Sequence, residues 1–179
     1  MDGASADEAR RGEYRYGCVF CATGREDDIA ADIGRRYPGI EALPVAQMKR
    51  RSVNGRRFRE RQIMLPGYIF IRTKEDTLPL FLSRTHGVLK ILCEDEQKWE
   101  LSGANQRFSV WVFENRGLLD VSKLFRQGQT VIISDGPLRE MRGNIERIDK
   151  RNRNCLIRLC FNESVFRVWL PFEYVDENC

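Results

Sequence analysis

The chain has 179 residues, of which 42% are hydrophobic and 31% are charged; this composition is typical of soluble globular domains and excludes collagen-like and largely disordered chains. No apolar run approaches the roughly 20 residues that a membrane-spanning helix needs, and residues 1–13 lack the apolar core of a signal peptide. We therefore expect a cytoplasmic protein with no membrane segment, built as one domain or two small ones, whose modest net charge of +4 conceals two strongly basic stretches.

The first predicted elements are a disordered leader over residues 1–13, a strand over residues 14–22 and a helix. Thr23 can cap that helix, because the acidic residues that follow, Glu26 among them, suit the positive end of a helix dipole. Apolar residues then recur at helical spacing until Pro38-Gly39 ends the helix. No glycine-rich phosphate loop follows the strand, so we expect no nucleotide cofactor.

The six cysteines raise the possibility of a metal or disulfide site. Cys18 and Cys21 form a C-x-x-C pair, but they lie in a predicted strand, where residues three apart point to opposite faces. No second C-x-x-C exists, and His86 is the only histidine. We therefore expect reduced, buried thiols and no metal or other cofactor.

A basic hairpin is predicted next, after a second strand over residues 40–48. Its turn is Asn54-Gly55, the strongest short-range signal for a hairpin. Between residues 49 and 61, seven residues are basic and only Glu60 is acidic. Such a patch is typical of nucleic-acid binding, although a merely solvated charged face explains it equally well. The candidate nucleic-acid contacts here are Lys49, Arg50, Arg51, Arg56, Arg57 and Arg59.

The stretch Met64–Arg72 predicts a tight turn at Pro66-Gly67 followed by a strand. Tyr68 and Phe70 would share one face of that strand, and the alternating residues between and beyond them are isoleucines. Because both faces are apolar, we expect a central strand with helices packed on one side. From pattern alone, a simple core strand is the favoured interpretation.

The remaining elements complete two predicted domains. A helix over residues 75–84, a strand over residues 86–92 and an amphipathic segment over residues 99–114 give the order β-α-β-β-α-β, which is typical of an α+β ferredoxin-like sandwich. Residues 115–124 are a predicted linker. Five short strands then follow, at residues 128–134, 143–149, 155–161, 165–170 and 172–175, and they predict a small all-β, SH3-like barrel over residues 125–179.

Two motifs resemble the NusG family of transcription elongation and antitermination factors. The strand after Pro66-Gly67, preceded by a basic segment, is similar to the family's N-terminal (NGN) domain, and Asp135-Gly136-Pro137 with its flanking glycines is similar to its KOW motif. The resemblance covers about residues 14–178. It implies an NGN domain over residues 14–114 and a KOW domain over residues 125–179, with the ferredoxin-like and SH3-like folds respectively.

The resemblance also implies partners. The NGN domain of the family docks on the clamp helices of bacterial RNA polymerase, and a short polar motif touches the opposite side of the polymerase cleft, which suppresses pausing. The basic hairpin occupies the place where family members approach upstream DNA. For Tyr68 and Phe70, a plain core role remains open beside the docking role. The residues that match the docking strand are Leu65, Tyr68 and Phe70, and the candidate neighbours on the predicted second helix are Phe81 and Leu82. Thr85 and His86 belong to the segment that occupies the position of the polar motif.

The KOW loop departs from the general elongation factors, whose apolar loop recruits a ribosomal protein or a termination factor. Basic residues interrupt it here, which resembles specialised antiterminators of the LoaP type and predicts binding of a structured RNA hairpin. The phosphate contacts predicted in this domain are Arg139, Arg142, Lys150, Arg151 and Arg153.

Three alternatives to this interpretation remain. They are a general elongation factor, a ribosome-associated KOW protein without a polymerase role, and a zinc or thiol enzyme. No catalytic constellation is recognisable, so we expect a binding protein rather than an enzyme. We also expect a monomer.

Overall fold

The computed structural model describes residues 14–79, 81–93, 98–127, 130–139 and 144–175. The chain divides into two compact units, the first made of Met1–Val45 and Leu65–Arg116, the second of Ala46–Met64 and Gly117–Cys179. The basic hairpin therefore groups with the C-terminal strands, whereas the sequence boundaries assigned it to the N-terminal domain. The predicted leader lies outside the described residues. None of the described helices is long and apolar enough to cross a membrane.

Both described α-helices lie in the first 114 residues, and the described elements after them are strands and one short 3-10 helix. The first eight elements are β1 (Arg15–Cys21), α1 (Glu26–Arg36), β2 (Ile40–Pro44), β3 (Ala46–Val53), β4 (Arg56–Ile63), β5 (Tyr68–Thr73), β6 (Val88–Leu92) and α2 (Gly103–Glu114). The remaining strands are β7 (Leu118–Leu119), β8 (Ser122–Gln127), β9 (Thr130–Asp135), β10 (Ile145–Asp149), β11 (Asn154–Phe161) and β12 (Ser164–Tyr174). Short 3-10 helices lie at Leu82–Arg84 and Pro137–Arg139.

The first unit contains a four-stranded sheet in the order β2-β5-β1-β6, with all neighbours antiparallel. Strand β5 lies between two partners, which confirms the predicted central strand. Its residues Ile69, Phe70 and Ile71 have no exposed surface. On one face the two isoleucines belong to a cluster with Ile29 of α1, and on the other the ring of Phe70 lies 5.4 Å from that of Phe108 in α2. Helices thus cover both faces, not one as expected.

The predicted helix over residues 75–84 is not formed. Residues 74–77 are bends, and only the 3-10 turn Leu82–Arg84 is helical among the described residues of this segment. Pro79 explains the difference, because proline lacks an N–H and disfavours the helical conformation of the residue before it. Its carbonyl accepts the N–H of Leu82 at 2.9 Å, which starts the short turn. The next helix, α2, follows β6, so the chain departs from the predicted β-α-β-β-α-β order.

The second unit contains a five-stranded sheet in the order β10-β11-β12-β8-β9 and a three-stranded sheet in the order β4-β3-β7. Strand β12 pairs in parallel with β8, and β3 pairs in parallel with β7. Strand β12 is continuous where two strands were predicted, since the fixed φ of Pro171 is compatible with extended backbone. Residues predicted as a linker form β7 and the start of β8.

The hairpin turn between β3 and β4 has the predicted conformation. Asn54 and Gly55 have φ values of 51° and 76°, as a type I′ turn requires, and Val53 pairs with Arg56 across it. This register determines which basic residues of the hairpin face one another.

Candidate functional site

The turn before β5 requires glycine. Gly67 has a φ of +84°, and a Cβ at this position would lie 2.9 Å from Cε2 of Phe20 and 3.3 Å from the carbonyl oxygen of Cys21. The carbonyl of Gly67 in turn accepts the N–H of Cys21 at 2.8 Å. The Pro-Gly turn is therefore seated directly against the end of β1, and it fixes where Tyr68 begins its strand.

Glu26, at the start of α1, holds the same turn. Its side chain is buried, with Oε1 accepting the N–H of Gly67 at 2.8 Å and Oε2 accepting the N–H of Gly24 at 2.9 Å. Burial opposes ionisation, but backbone hydrogen bonds from Gly67, Glu26 itself and Gly24 outweigh it and lower the pKa of this carboxyl. The predicted cap, Thr23, has no such role, because Arg25 occupies the N-cap position and makes no side-chain capping bond. The sequence pattern alone indicated only a first-turn acid at Glu26.

The predicted polymerase-binding residues separate by burial. Leu65, Phe70 and Leu82 have no exposed surface and Thr85 is only 3% exposed, so the structure places these four in the interior. Their packing explains this: Phe70 meets α2, and Leu82 belongs to the same apolar cluster as Ile29. These four side chains pack beneath the surface of the first unit and are not accessible to a partner.

The accessible members of that set are Tyr68, Phe81 and His86. Phe81 is 59% exposed, and the guanidinium of Arg84 lies 5.4 Å from its ring centroid. His86 is exposed, and Tyr68 is half-buried with its ring 5.3 Å from that of Phe20. A large exposed aromatic residue beside a cation is a typical anchor for a protein partner.

The hairpin of the second unit concentrates positive charge. Lys49, Arg56 and Arg59 are exposed, and Nη1 of Arg59 lies 4.0 Å from Oδ1 of Asp120. The register places the backbone of Arg50 directly opposite that of Arg59. The side chains of Arg50, Arg51 and Arg57 lie outside the described residues, although their backbones belong to β3 and β4.

A second basic element is the turn between β10 and β11, where Lys150, Arg151 and Arg153 are all exposed. Oδ1 of Asp149 accepts the N–H of Asn152 at 2.9 Å, and Oδ2 accepts its side-chain amide at 2.8 Å. These bonds lower the pKa of Asp149. The turn also joins the sheet, since the carbonyl of Arg153 accepts a hydrogen bond from β12 at 2.9 Å. Its three cations are therefore presented on a fixed backbone.

The Gly-Pro loop after β9 is tied to β8. Gly136 has a φ of +89°, and a Cβ there would lie 2.7 Å from the Cα of Ser122. The hydroxyl of Ser122 accepts the N–H of Leu138 at 3.0 Å. Leu138 is completely buried, whereas the next residue, Arg139, is exposed. Arg142, the other predicted phosphate contact of this loop, lies outside the described residues.

A cleft of about 570 Å³ lies within the second unit, between the hairpin and the strands β11 and β12. Trp169 lies at its wall and remains 40% exposed. Trp169 is not among the site residues predicted from the sequence. The signal was available, because Trp169 occupies an outward-facing position of a strand whose inward-facing residues Leu170 and Phe172 are buried. The cleft is lined by Gln47, Met48, Lys49, Gln62, Ile63, Met64, Asn152, Arg153, Asn154, Arg167, Val168, Trp169 and Pro171.

The two cysteines of the C-x-x-C pair both belong to strand β1. Cys18 and Cys21 are both buried, and burial raises the pKa of the Cys18 thiol well above its ordinary value. Burial, together with the nearby Glu26 carboxylate, raises the pKa of Cys21 to about 11. Within the described parts of the chain, no group of three or more potential metal ligands is found.

The comparisons with known proteins differ in outcome, because only solved structures resemble the chain. No family model matches the chain, and no curated protein matches it. A solved structure of Thermotoga maritima NusG, described as "Domain interaction in Thermotoga maritima NusG", is similar, with 13% sequence identity and a TM-score of 0.49. The match covers 90% of this chain and 95% of that chain. At this level of similarity the comparison assigns neither family nor function.

Proposed function

We propose that this protein is a NusG-type transcription factor that docks on bacterial RNA polymerase through its first unit and binds a nascent RNA hairpin through its second. In this role it suppresses pausing and termination. The observation that carries the proposal is the fixed turn at Lys150, Arg151 and Arg153, which presents three cations, whereas Leu138 of the Gly-Pro loop is completely buried.

The first unit supports the polymerase role through its motif and its surface. The Pro66-Gly67-Tyr68 sequence resembles the NGN domain, and the sheet order β2-β5-β1-β6 is compatible with a ferredoxin-like sandwich. In the same unit, Phe81 offers an exposed aromatic anchor with the guanidinium of Arg84 near its ring, and His86 is also exposed. An apolar helical partner such as the polymerase clamp suits this combination.

The second unit supports nucleic-acid binding through charge. Arginine forks match phosphate oxygens, and both the hairpin and the β10–β11 turn expose arginines. We assign the turn and Arg139 to RNA phosphates and the hairpin to upstream DNA or to the same RNA. A general elongation factor would instead need an apolar KOW loop to hold a protein partner, and the burial of Leu138 removes one apolar side chain from that role.

The polymerase role is tested by binding of the full-length protein to purified bacterial RNA polymerase. Phe81→Asp should weaken binding at least tenfold, because an exposed aromatic anchor carries about 2 kcal/mol or more. The matched control is Leu89→Asp, since Leu89 is 63% exposed in the same unit but has no place in the family motif. Equal affinity of the Phe81 variant and the wild type would contradict the docking surface.

The RNA role is tested with the full-length protein and a panel of RNA hairpins at physiological salt. Replacement of Lys150, Arg151 and Arg153 together by alanine should abolish tight binding to the preferred hairpin. A control protein loses the same charge from exposed positions of the first unit, by alanine substitution of Lys90, Lys98 and Arg107. Weak binding of the wild type to every hairpin would refute the RNA role and leave the polymerase role standing.

A further inference from the structure

The side chains that line the cleft of the second unit are positively charged or uncharged, which favours an anionic ligand. Three of its lining residues are cations, Lys49, Arg153 and Arg167, and no aspartate or glutamate is among the described lining residues. Three acids lie close by: Oε2 of Glu146 accepts a bond from Nε of Arg167 at 2.9 Å, Glu60 is paired opposite Lys49 across β3 and β4, and Asp149 accepts the N–H of the lining residue Asn152. None of these acids is among the lining residues, so the described side chains that face the cleft carry positive charge without a carboxylate. Its ligand should therefore be an anion or a polyanion.

The other lining groups suit a nucleobase. The indole of Trp169 is 40% exposed in a volume of about 570 Å³, which is within the range of small-ligand sites. Four amide side chains, Gln47, Gln62, Asn152 and Asn154, line the same space, and amides present both hydrogen-bond donors and acceptors. Two of them, Gln47 and Gln62, are direct neighbours across β3 and β4.

We propose that this cleft binds unpaired RNA, with one base stacked on Trp169 and the adjacent phosphates held by Lys49 and Arg153. The inference rests on the proposed RNA role of the second unit and names the form of RNA that its cleft accepts. A base in a duplex is stacked on its neighbours and cannot reach the indole, whereas a loop, bulge or single-stranded flank exposes the face of a base. The β10–β11 turn then contacts the phosphates of the paired stem.

The position of Trp169 on β12 favours this role over a purely structural one. The neighbouring residues Leu170 and Phe172 are buried and supply the core contacts of the strand. Across β11, Trp169 is paired with Leu156, which is itself half-buried. Other side chains of β12 thus fill the core of the domain. The indole of Trp169 instead lines a space that is also lined by cations and amides.

The experiment uses the full-length protein and an oligouridylate of eight nucleotides, with binding measured by anisotropy and by tryptophan fluorescence. Trp169→Ala should weaken binding about tenfold, in the range found for loss of one stacked base, while Trp169→Phe should retain most of the affinity. Stacking should quench the wild-type fluorescence, and the quenching should disappear in Trp169→Phe. The control is Val165→Ala, an exposed apolar residue of the same strand β12 that does not line the cleft, and it should bind as the wild type does.

Three results would overturn the inference. They are unchanged affinity of Trp169→Ala for the oligonucleotide, an equal loss of affinity for a blunt-ended RNA duplex, and tighter binding of the deoxyribose oligomer than of RNA. If Trp169→Phe lost binding as Trp169→Ala does, stacking on an aromatic ring would likewise be excluded as the way in which residue 169 contributes to RNA affinity. The proposed RNA role is judged separately by the double substitution Lys150→Ala and Arg151→Ala, because neither of these residues lines the cleft and their effect on hairpin binding does not depend on Trp169.

Discussion

The carboxylate of Glu26 accepts the backbone N–H of Gly67 at 2.8 Å across 41 positions of sequence. This contact joins the start of α1 to the Pro-Gly turn that begins β5. Because Gly67 also accepts a bond from Cys21, the turn is held from two elements. One of these two contacts is made by a buried carboxylate, so the conformation of the segment that resembles the NGN motif depends in part on Glu26.

Glu26→Gln should lower the free energy of unfolding of the first unit by about 1–2 kcal/mol, because an amide cannot accept both N–H groups as well as a carboxylate does. The measurement is urea unfolding at neutral pH, followed by tryptophan fluorescence in a Trp169→Phe background, so that the signal comes from Trp99 and Trp111. The control is Asp28→Asn, an exposed acid in the same helical turn that loses only its dipole interaction. Equal destabilisation by the two variants would contradict a special role of the buried carboxylate.

The same carboxylate predicts a pH dependence. The pKa of Glu26 in the folded protein is below its ordinary value of 4.5, so the stability it contributes is complete above that value and is lost as the pH falls through the folded pKa. The stability difference between the wild type and Glu26→Gln should therefore be constant from pH 7 to roughly pH 5 and shrink at lower pH. Urea unfolding of both proteins across this range measures it. A difference that grows on acidification would contradict the sign.

Gly67→Ala should destabilise the first unit more than Gly24→Ala does. Both glycines have nearly the same backbone conformation, with φ values of +84° and +85°, so the cost of left-handed backbone, about 1–2 kcal/mol, is common to both. A Cβ on Gly24 meets nothing within 4 Å, whereas one on Gly67 meets Phe20 and the carbonyl of Cys21. The difference between the two unfolding free energies isolates this close approach. Identical values would show that the turn can shift without cost.

Local signals in the sequence predicted local structure correctly. Asn54-Gly55 predicted the hairpin, and the apolar run after Pro66-Gly67 predicted a central strand, because each signal depends on the conformational limits of its own residues. The prediction of a helix over residues 75–84 was wrong. It gave more weight to the helical spacing of the apolar residues than to Pro79, although the disruption of a helix by proline is also a local effect.

Features that depend on contacts distant in sequence were not predictable in the same way. Phe70 and Leu82 are buried only because α2 and the α1 cluster cover them. The hairpin groups with the C-terminal strands through its parallel pairing with β7, which no short motif encodes. The cleft beside Trp169 follows from that grouping, and so the sequence indicated its cations but not the space between them.

The cysteines should differ sharply in reactivity. Cys93 and Cys160 are exposed, whereas Cys18, Cys21 and Cys155 are buried, and burial raises the pKa of Cys155 to about 11. Iodoacetamide at pH 8 should therefore label Cys93 and Cys160 in the native protein and the buried three only after unfolding. Peptide mapping by mass spectrometry identifies each site. Native labelling of Cys18 or Cys21 at the rate of Cys93 would show that β1 opens readily.

The β10–β11 turn predicts a specific salt dependence of RNA binding. If Arg151 and Arg153 each neutralise one phosphate, their replacement by alanine should reduce the slope of log affinity against log salt by roughly 1.4–1.8, because each contact releases about 0.7–0.9 of a counterion. Affinity of the full-length protein for its preferred RNA hairpin, measured from about 50 to 300 mM salt, gives the slope.

The control removes the same charge from exposed residues of the first unit, by Lys90→Ala and Lys98→Ala, and should leave the slope unchanged. Parallel salt plots for the arginine variant and the wild type, even with a loss of affinity, would mean that the two arginines act on the fold of the turn and not on phosphate. Because Asp149 and the carbonyl of Arg153 hold that turn independently of both guanidinium groups, we expect the slope to change.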